Sequence, residues 1–383
     1  MKPDPMRRRL TVSQCSAGKA SEKGNSDVDQ SSKIINNGLT EVFELAKKNS
    51  TKVALIASVT DGDLTRRRSF AEKDTDCLST FPSPADAMRW VSSHYVGWSC
   101  RKGMKPESPN QDSFSVLLVE DEFSLYCVFD GHGPHGHDVS HFVRQTIAKL
   151  FLRNMNRATN PSLAFHEAFI GTQLLVEEEA GLDASMSGTT CTMAYHDLKR
   201  DLLTVAHVGD SRAVLGMMKP DVMVEDLTVD HKPNLEKERQ RIESADPPGR
   251  VVFDGYYNHR VFVQNGMYPG LNMSRAIGDV LGHKGAGLTA EPDVKVVDLS
   301  AERFKKDGAL SLLLCTDGVW EFIKSEEAVE LAFKFPADRA EEAMGNLVKL
   351  GYDRWMEDSD NEISDDITGI LVDLSRPKVS STQ

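Results

Sequence analysis

From about residue 90 the chain alternates short apolar runs with turn chemistry. "SFSVLLV" and "FSLYCVFD", split by the polar "EDE", predict an antiparallel hairpin. "GTTCTMAYHDL", "DLLTVAHVGD" and "RAVLGMM" predict the next meander, with a polar turn at "DLKR" and a tight one at "GDS". "ALSLLLCTD" and "ITGILVDL" supply later strands. Helical period appears in "HDVSHFVRQTIAKLFLRN", where Val139, Phe142, Val143, Ile147 and Leu150 form one stripe, and in "SLAFHEAFIGTQLLVEEEA". "NLEKERQRIESA", "SEEAVELAFKF" and "RAEEAMGNLVKLGYDRWM" add three more helices. Many short strands with several amphipathic helices, and no strict βαβ alternation, predict an α+β fold of packed antiparallel sheets flanked by helices.

The first 85 or so residues differ in texture. They are rich in Ser, Lys, Asp and Gly around one apolar patch, "VFELAKKNSTKVALIASV". That composition predicts a largely disordered extension over 1–88, with one short helix, ahead of a folded domain over 89–376 and a short tail at 377–383. "RRRSF" at 66–70 fits a basic-directed kinase site or a solvated linker equally well.

Charge and cysteine usage narrow the class. Lys and Arg number 45 against 58 Asp and Glu, a net charge of −13, which argues against nucleic-acid or anionic-membrane binding but suits a site that collects cations. Six cysteines show no CxxC pair, as expected of free thiols in a reducing compartment. "MKPDPMRRRLTV" has no apolar stretch behind its charges, Lys2 does not fit the myristoylation motif, and "ALSLLLC" is too short to span a bilayer. The expectation is a soluble monomer without membrane insertion, cytoplasmic, with the "RRR" clusters leaving the nucleus open.

The candidate chemistry centres on "LYCVFDGHGPHGHD", where an apolar strand stops on Asp130 before three glycines and three histidines. "GHGPHG" satisfies a dinucleotide-binding pattern, yet Asp130 would repel a pyrophosphate and no acidic residue near 150–157 could hold a ribose. His132, His135, His137 and His141 suggest zinc, but no cysteine is near and the glycines indicate a loop shaped by its backbone. Other carboxylates share Asp130's setting. Asp317 and Asp210 end strands, whereas Asp112, Asp365 and Asp366 precede them. One such aspartate is ordinarily a turn or cap residue. Several converging at one edge of a core would repel one another unless a multivalent cation lay between them, and all-oxygen ligand sets select Mg²⁺ or Mn²⁺. Such a site suits phosphate-ester hydrolysis, with His132 placed to give the leaving alkoxide its proton. Cysteine-based phosphatase chemistry fails, because the positions six after each cysteine hold Ser21, Ser83, Pro106, Gly133, Asp197 and Glu321, never Arg. The zinc-protease signature fails at Ile170, and "EDSDNEIS" lacks the glycine a calcium loop needs.

Together these motifs resemble the metal-dependent protein serine/threonine phosphatases of the protein phosphatase 2C family. The resemblance runs from about 94 to 375 through "PNQDSF", "VFDGHGPHG", "GTTCTMAY", "AHVGDSRAVL", "DHKPNLEKERQRI", "LNMSRAIGD", "EPDVKV", "CTDGVWEF" and "DDITGILV", in the family's order. It implies a central antiparallel β-sandwich flanked by helices on both sides, with two Mn²⁺ or Mg²⁺ ions, and a weaker third, at one end. By that resemblance Asp130 bridges both ions and Gly131 lends its carbonyl. Asp317 and Asp365 complete one site, with Asp366 alongside, and Asp112 lies in the shell of the other. Asp210 and Glu321 stand where the family holds the third ion. His132 matches the general acid, and 230–283 matches a flap beside the cleft. Gln111 stands where many members have Glu. Glu107 stands where animal members have a phosphate-binding Arg, so Lys105 first, or Arg101 or Lys102 from the same loop, becomes the expected phosphate contact. The implied function is hydrolysis of phosphoserine and phosphothreonine in proteins by direct attack of water. The rival readings are a silent pseudophosphatase acting as a binding module and a hydrolase of small phosphate monoesters.

Overall fold

The computed structural model describes residues 28–48, 50–59, 70–105, 108–305 and 308–375. The arginines at 66–68, Ser69, Glu107 and the 377–383 tail lie outside these residues. In chain order, α1 (Val28–Lys47), β1 (Val53–Ser58), β2 (Thr75–Ser79), α2 (Pro84–Ser92) and β3 (Val96–Arg101) come first. The hairpin β4 (Ser113–Val119) and β5 (Phe123–Phe129) leads through β6 (Gly131–His132) to α3 (Gly136–Arg153) and α4 (Pro161–Glu178). Next are β7 (Gly188–Thr189), β8 (Cys191–Asp197), β9 (Leu202–Val208), β10 (Arg212–Lys219) and β11 (Asp221–Asp226). The segment expected to form a flap follows as α5 (Glu236–Glu243), β12 (Gly249–Phe253), β13 (His259–Val263) and β14 (Pro269–Leu271), and then come β15 (Ile277–Gly278) and α6 (Val280–Gly285). The chain ends through β16 (Asp293–Asp298), α7 (Glu302–Lys305), β17 (Leu310–Cys315), α8 (Asp317–Trp320), α9 (Ser325–Ala332), α10 (Ala340–Asp358) and β18 (Ile367–Asp373).

Two antiparallel sheets stack face to face. One runs β16-β9-β8-β5-β4-β1-β2 and the other β11-β10-β17-β18-β3. Each is apolar on both faces because both faces are covered, so its strands read as almost unbroken apolar runs rather than alternating ones. In β4, Phe114, Val116 and Leu118 point to the opposite sheet, while Leu117 and Val119 point to α1, α3 and α4. In β17, Leu312 and Leu314 point inward, while Leu313 and Cys315 meet α8, α9 and α10. The result is the expected helix–sheet–sheet–helix sandwich. The predicted stripe on α3 packs as read, with Val139, Val143 and Ile147 fully buried.

Two expectations are corrected. The amino-terminal segment is not a largely disordered extension over its described part. Leu39, Val42, Phe43 and Ala46 repeat at helical spacing on α1 and pack against α3, and Glu41 pairs with Lys149 at 3.3 Å and with Arg153. "VALIAS" is the fully buried β1, seated between β4 and β2. Its Leu55 and Ile56 each contribute about 1.5–3 kcal/mol of burial, an amount a tail could not forgo. The Ser- and Lys-rich flanks diluted this pattern. Second, the meander through "RAVLGMM" divides. β8 and β9 pair, but the chain crosses at "GDS" to the other sheet, where β10 pairs with β11 and β17. No helix among the described residues is long and apolar enough to cross a membrane.

Candidate active site

Register brings the acidic strand ends together. Asp112 precedes β4 and Asp130 follows β5, just beyond the pair Ser113–Phe129. Asp317 opens the short helix after β17, Asp365 and Asp366 lie just before β18, and those strands run antiparallel. Asp210 sits in the crossing between the sheets, next to the pair Arg212–Cys315. Both sheets therefore present carboxylates at the same end of the sandwich.

Their surroundings supply too little positive charge. Asp112 is 1% exposed, and one of its oxygens accepts from the Thr316 hydroxyl at 3.0 Å. The other oxygen has no partner among the described residues, and the same holds for one oxygen each of Asp210 and Asp317. Burial first, then repulsion from Asp366 and Asp365, holds Asp112 above the usual carboxylate range. Burial with Asp317 and Asp112 does the same to Asp130, and burial with Asp365 and Asp210 to Asp317. Among the described residues two ammonium groups pair with the cluster's carboxylates. Lys105 bonds Asp365 and lies 3.8 Å from Asp366, and Lys232 bonds Asp210.

Unpartnered, mutually repelling carboxylate oxygens at a water-exposed edge fit hard divalent cations. Among the described residues no three acidic, His or Cys side chains close round one point as a complete cage. A Mg²⁺-type site keeps several waters and needs no such cage. Gly131 fits as well: a Cβ there would lie 2.3 Å from the Gly136 carbonyl oxygen and 2.5 Å from that of Gln111, so only glycine lets the loop close over its own backbone.

The model of one family, protein phosphatase 2C, matches residues 99–360, which hold almost all of this acidic end. The chain belongs to the protein phosphatase 2C family. It is 30% identical over 306 residues to probable protein phosphatase 2C 35 of Arabidopsis thaliana, covering 72% of this chain and 82% of that one. It is 32% identical over 285 residues to probable protein phosphatase 2C 48 of Oryza sativa subsp. japonica, covering 67% and 77%. In fold it is similar to the serine-threonine phosphatase 2C from Toxoplasma gondii, with a TM-score of 0.61, 22% identity, and 73% and 94% of the two chains covered. The protein is a serine/threonine phosphatase of the 2C type.

Within this 2C phosphatase not every candidate residue joins the cluster in the same way. Asp366 is 2% exposed and accepts from the backbone N–H groups of Gly103 at 2.7 Å and Gln111 at 3.0 Å, so it clamps two loops. The Gln111 amide donates to the Gly133 carbonyl at 2.7 Å and braces the glycine-rich loop after β5. Glu321 is exposed at the end of α8. Arg101 pairs with Glu72 at 2.8 Å, donates to the Phe70 carbonyl at 3.0 Å and lies against the Phe70 ring. Lys105 stands at the mouth, held by Asp365.

Three residues in the site carry no role in the sequence-based assignment. Lys73, 4% exposed, donates to the carbonyls of Asn110 at 3.0 Å and Asp112 at 2.6 Å and pins the start of β4. It comes from the segment expected to be a tail. Lys232 lies in "DHKP", and Asp279 ends "SRAIGD", whose carboxylate lies 2.6 Å from His132 Nε2. Burial alone would lower the His132 pKa, but the Asp279 carboxylate, with the charges of Asp210 and Asp317, raises it. The motifs flagged both residues, and the partners could come only from the fold.

Proposed function

We propose that this phosphatase hydrolyses phosphoserine and phosphothreonine in proteins through a Mn²⁺- or Mg²⁺-dependent site at the acidic end of the sandwich. The observation that supports it is the convergence at one end of the sandwich of buried Asp112 and Asp210 with half-buried Asp130, Asp317 and Asp365, three of these carboxylates having an oxygen without a partner among the described residues. Asp130 with the Gly131 carbonyl would hold two ions, Asp317 and Asp365 would complete one of them, and Asp112 would lie in the shell of the other. Asp210 and Glu321 would hold a weaker third. When bound, the ions supply an activated water and neutralise the phosphoryl oxygens. The chain's own contribution is positional. Thr316 orients Asp112, Gln111 and Asp366 brace the loops that carry Asp112 and Gly131, and His132 gives a proton to the departing Ser or Thr oxygen. Lys105, at the mouth, is placed to meet the substrate phosphate once its bond to Asp365 is exchanged.

The test is phosphate release from a phosphothreonine peptide and from a small aryl phosphate, by purified protein in EDTA and then in excess Mn²⁺. Release lost to chelation and restored by Mn²⁺, with the peptide turned over efficiently, is the expected outcome. Release untouched by chelation would overturn the metal site. Turnover of the small ester alone would overturn the protein substrate.

A further inference from the structure

We infer that Asp279 is a positioning residue for His132, and that the pair is assembled over Gly188. This rests on the reading of His132 as the proton donor.

A small sheet of order β15-β7-β6 builds the pair. His132 on β6 is opposite Gly188 on β7, and Gly188 is opposite Gly278 on β15, one residue before Asp279. Side chains from the two edge strands therefore meet across a central residue that has none. A Cβ on Gly188 would lie 2.1 Å from Asp279 Oδ2 and 2.8 Å from His132 Nε2, so any other residue there would drive the two apart. The contact between them is 2.6 Å. A carboxylate accepts, so Nε2 carries the hydrogen of this bond. That leaves Nδ1, which has no partner among the described residues, as the nitrogen available to a substrate oxygen.

Asp279 is 0% exposed, and its second oxygen has no partner among the described residues. A buried carboxylate with so few bonds is costly, and a loop tie could be made by a neutral side chain at lower cost. The backbone is costly too. Asp279 lies in the left-handed region at φ 43° and ψ 47°, which disfavours a non-glycine residue by about 1 kcal/mol. It is held there by bonds from its N–H to the Ser187 carbonyl at 2.8 Å and from the Gly282 N–H to its carbonyl at 2.7 Å. Strain, burial and a cleared path all converge on one contact, with the imidazole that faces the reaction.

The experiment compares wild type, His132→Gln, Asp279→Asn and Gly188→Ala as full chains in saturating Mn²⁺, on aryl phosphates spanning good to poor leaving groups and on a phosphothreonine peptide. Asp279→Asn and Gly188→Ala are expected to lose about 10- to 100-fold on the poor leaving groups and little on the best one. His132→Gln should shift in the same sense, and calorimetric Mn²⁺ affinity should be unchanged in all three. A second readout is the imidazole tautomer in ¹⁵N-histidine-labelled protein, at a pH where the ring is neutral. Wild-type His132 should carry its proton on Nε2, and Asp279→Asn should weaken that preference. A uniform loss across leaving groups in Asp279→Asn, or a wild-type ring protonated on Nδ1, overturns the inference. If His132→Gln itself shows no leaving-group dependence, the proton-donor reading fails. The tautomer then still reports whether Asp279 orients the ring. Asp279→Asn keeps the side chain's shape, so the comparison survives if Gly188→Ala does not fold.

Discussion

The molecule holds two buried charged clusters of similar size, and they are built on opposite principles. Beside the flap, Glu238 is 2% exposed and accepts from Arg275 Nε at 3.1 Å, Arg241 at 2.7 Å and the Ser274 hydroxyl at 2.8 Å. Arg275 also donates to Asp293 at 2.9 Å, and His231 lies 3.3 Å from the same carboxylate. Burial alone would raise the Glu238 pKa, but its bonds from Arg275 and Arg241 hold it down to about 2. At the strand ends, by contrast, carboxylates face carboxylates, and burial raises them without an equal counterweight. The paired cluster is complete within the chain and holds the fold together. The unpaired one is left incomplete by the described residues, and that incompleteness marks the site.

The largest expected effect separates the two directly. Asp130→Asn should lower kcat on a phosphopeptide by about a thousandfold, as loss of a central electrostatic group does. It should at the same time raise the thermal midpoint of the metal-free protein, because a buried carboxyl that its acidic neighbours hold above its ordinary range is gone. A metal-free protein made less stable by this change would erase the distinction between the clusters. Next, Glu238→Gln should do the reverse. It leaves Arg275 and Arg241 short of an anion and should cost about 3 kcal/mol in urea unfolding, while turnover per folded molecule is retained. An unchanged urea midpoint would show that the paired cluster contributes little.

The smallest effect is in the pH dependence. In metal-free protein Asp112 and Asp317 are held near 8 and near 7, so the folded chain keeps protons that the unfolded chain releases at about pH 4. Their contribution therefore favours folding at low pH, is lost progressively as pH rises from about 4 to the folded values near 7 and 8, and levels off above them. Glu238 has the opposite sign: its contribution is present above about pH 4.5 and is lost as pH falls towards 2. Urea midpoints in EDTA should fall between about pH 5 and about pH 8 and level off above that, and the fall should disappear in saturating Mn²⁺. A flat metal-free profile would mean that the carboxylates do not feel one another.

Much of this was open to sequence reading, because the informative patterns are local. An apolar strand that stops on Asp-Gly, as at Asp130 and Asp317, or starts after Asp, as at Asp112 and Asp365, shows in a few residues. The hairpin β4–β5 and the helices α3, α4 and α10 show in their own periodicity. β1 did not, because six apolar residues between Lys- and Ser-rich flanks look the same whether or not a sheet has a gap for them. β9 and β10 look like neighbours in the chain, yet they belong to different sheets, and a tight turn reads alike whether it folds a hairpin or crosses a sandwich.

Local order along the chain determined the strands, the helices, the carboxylates at the strand ends and the family to which they belong. Tertiary structure decided which of those groups meet. It committed Arg101 to Glu72, set Lys105 on Asp365, brought Lys73 under Asp112, and joined His132 to Asp279 across 147 residues. Period and turn chemistry act over a few residues, whereas a side chain's partner is chosen by long-range packing and register, and a charge shows its purpose only when its partner, or the lack of one, is in view.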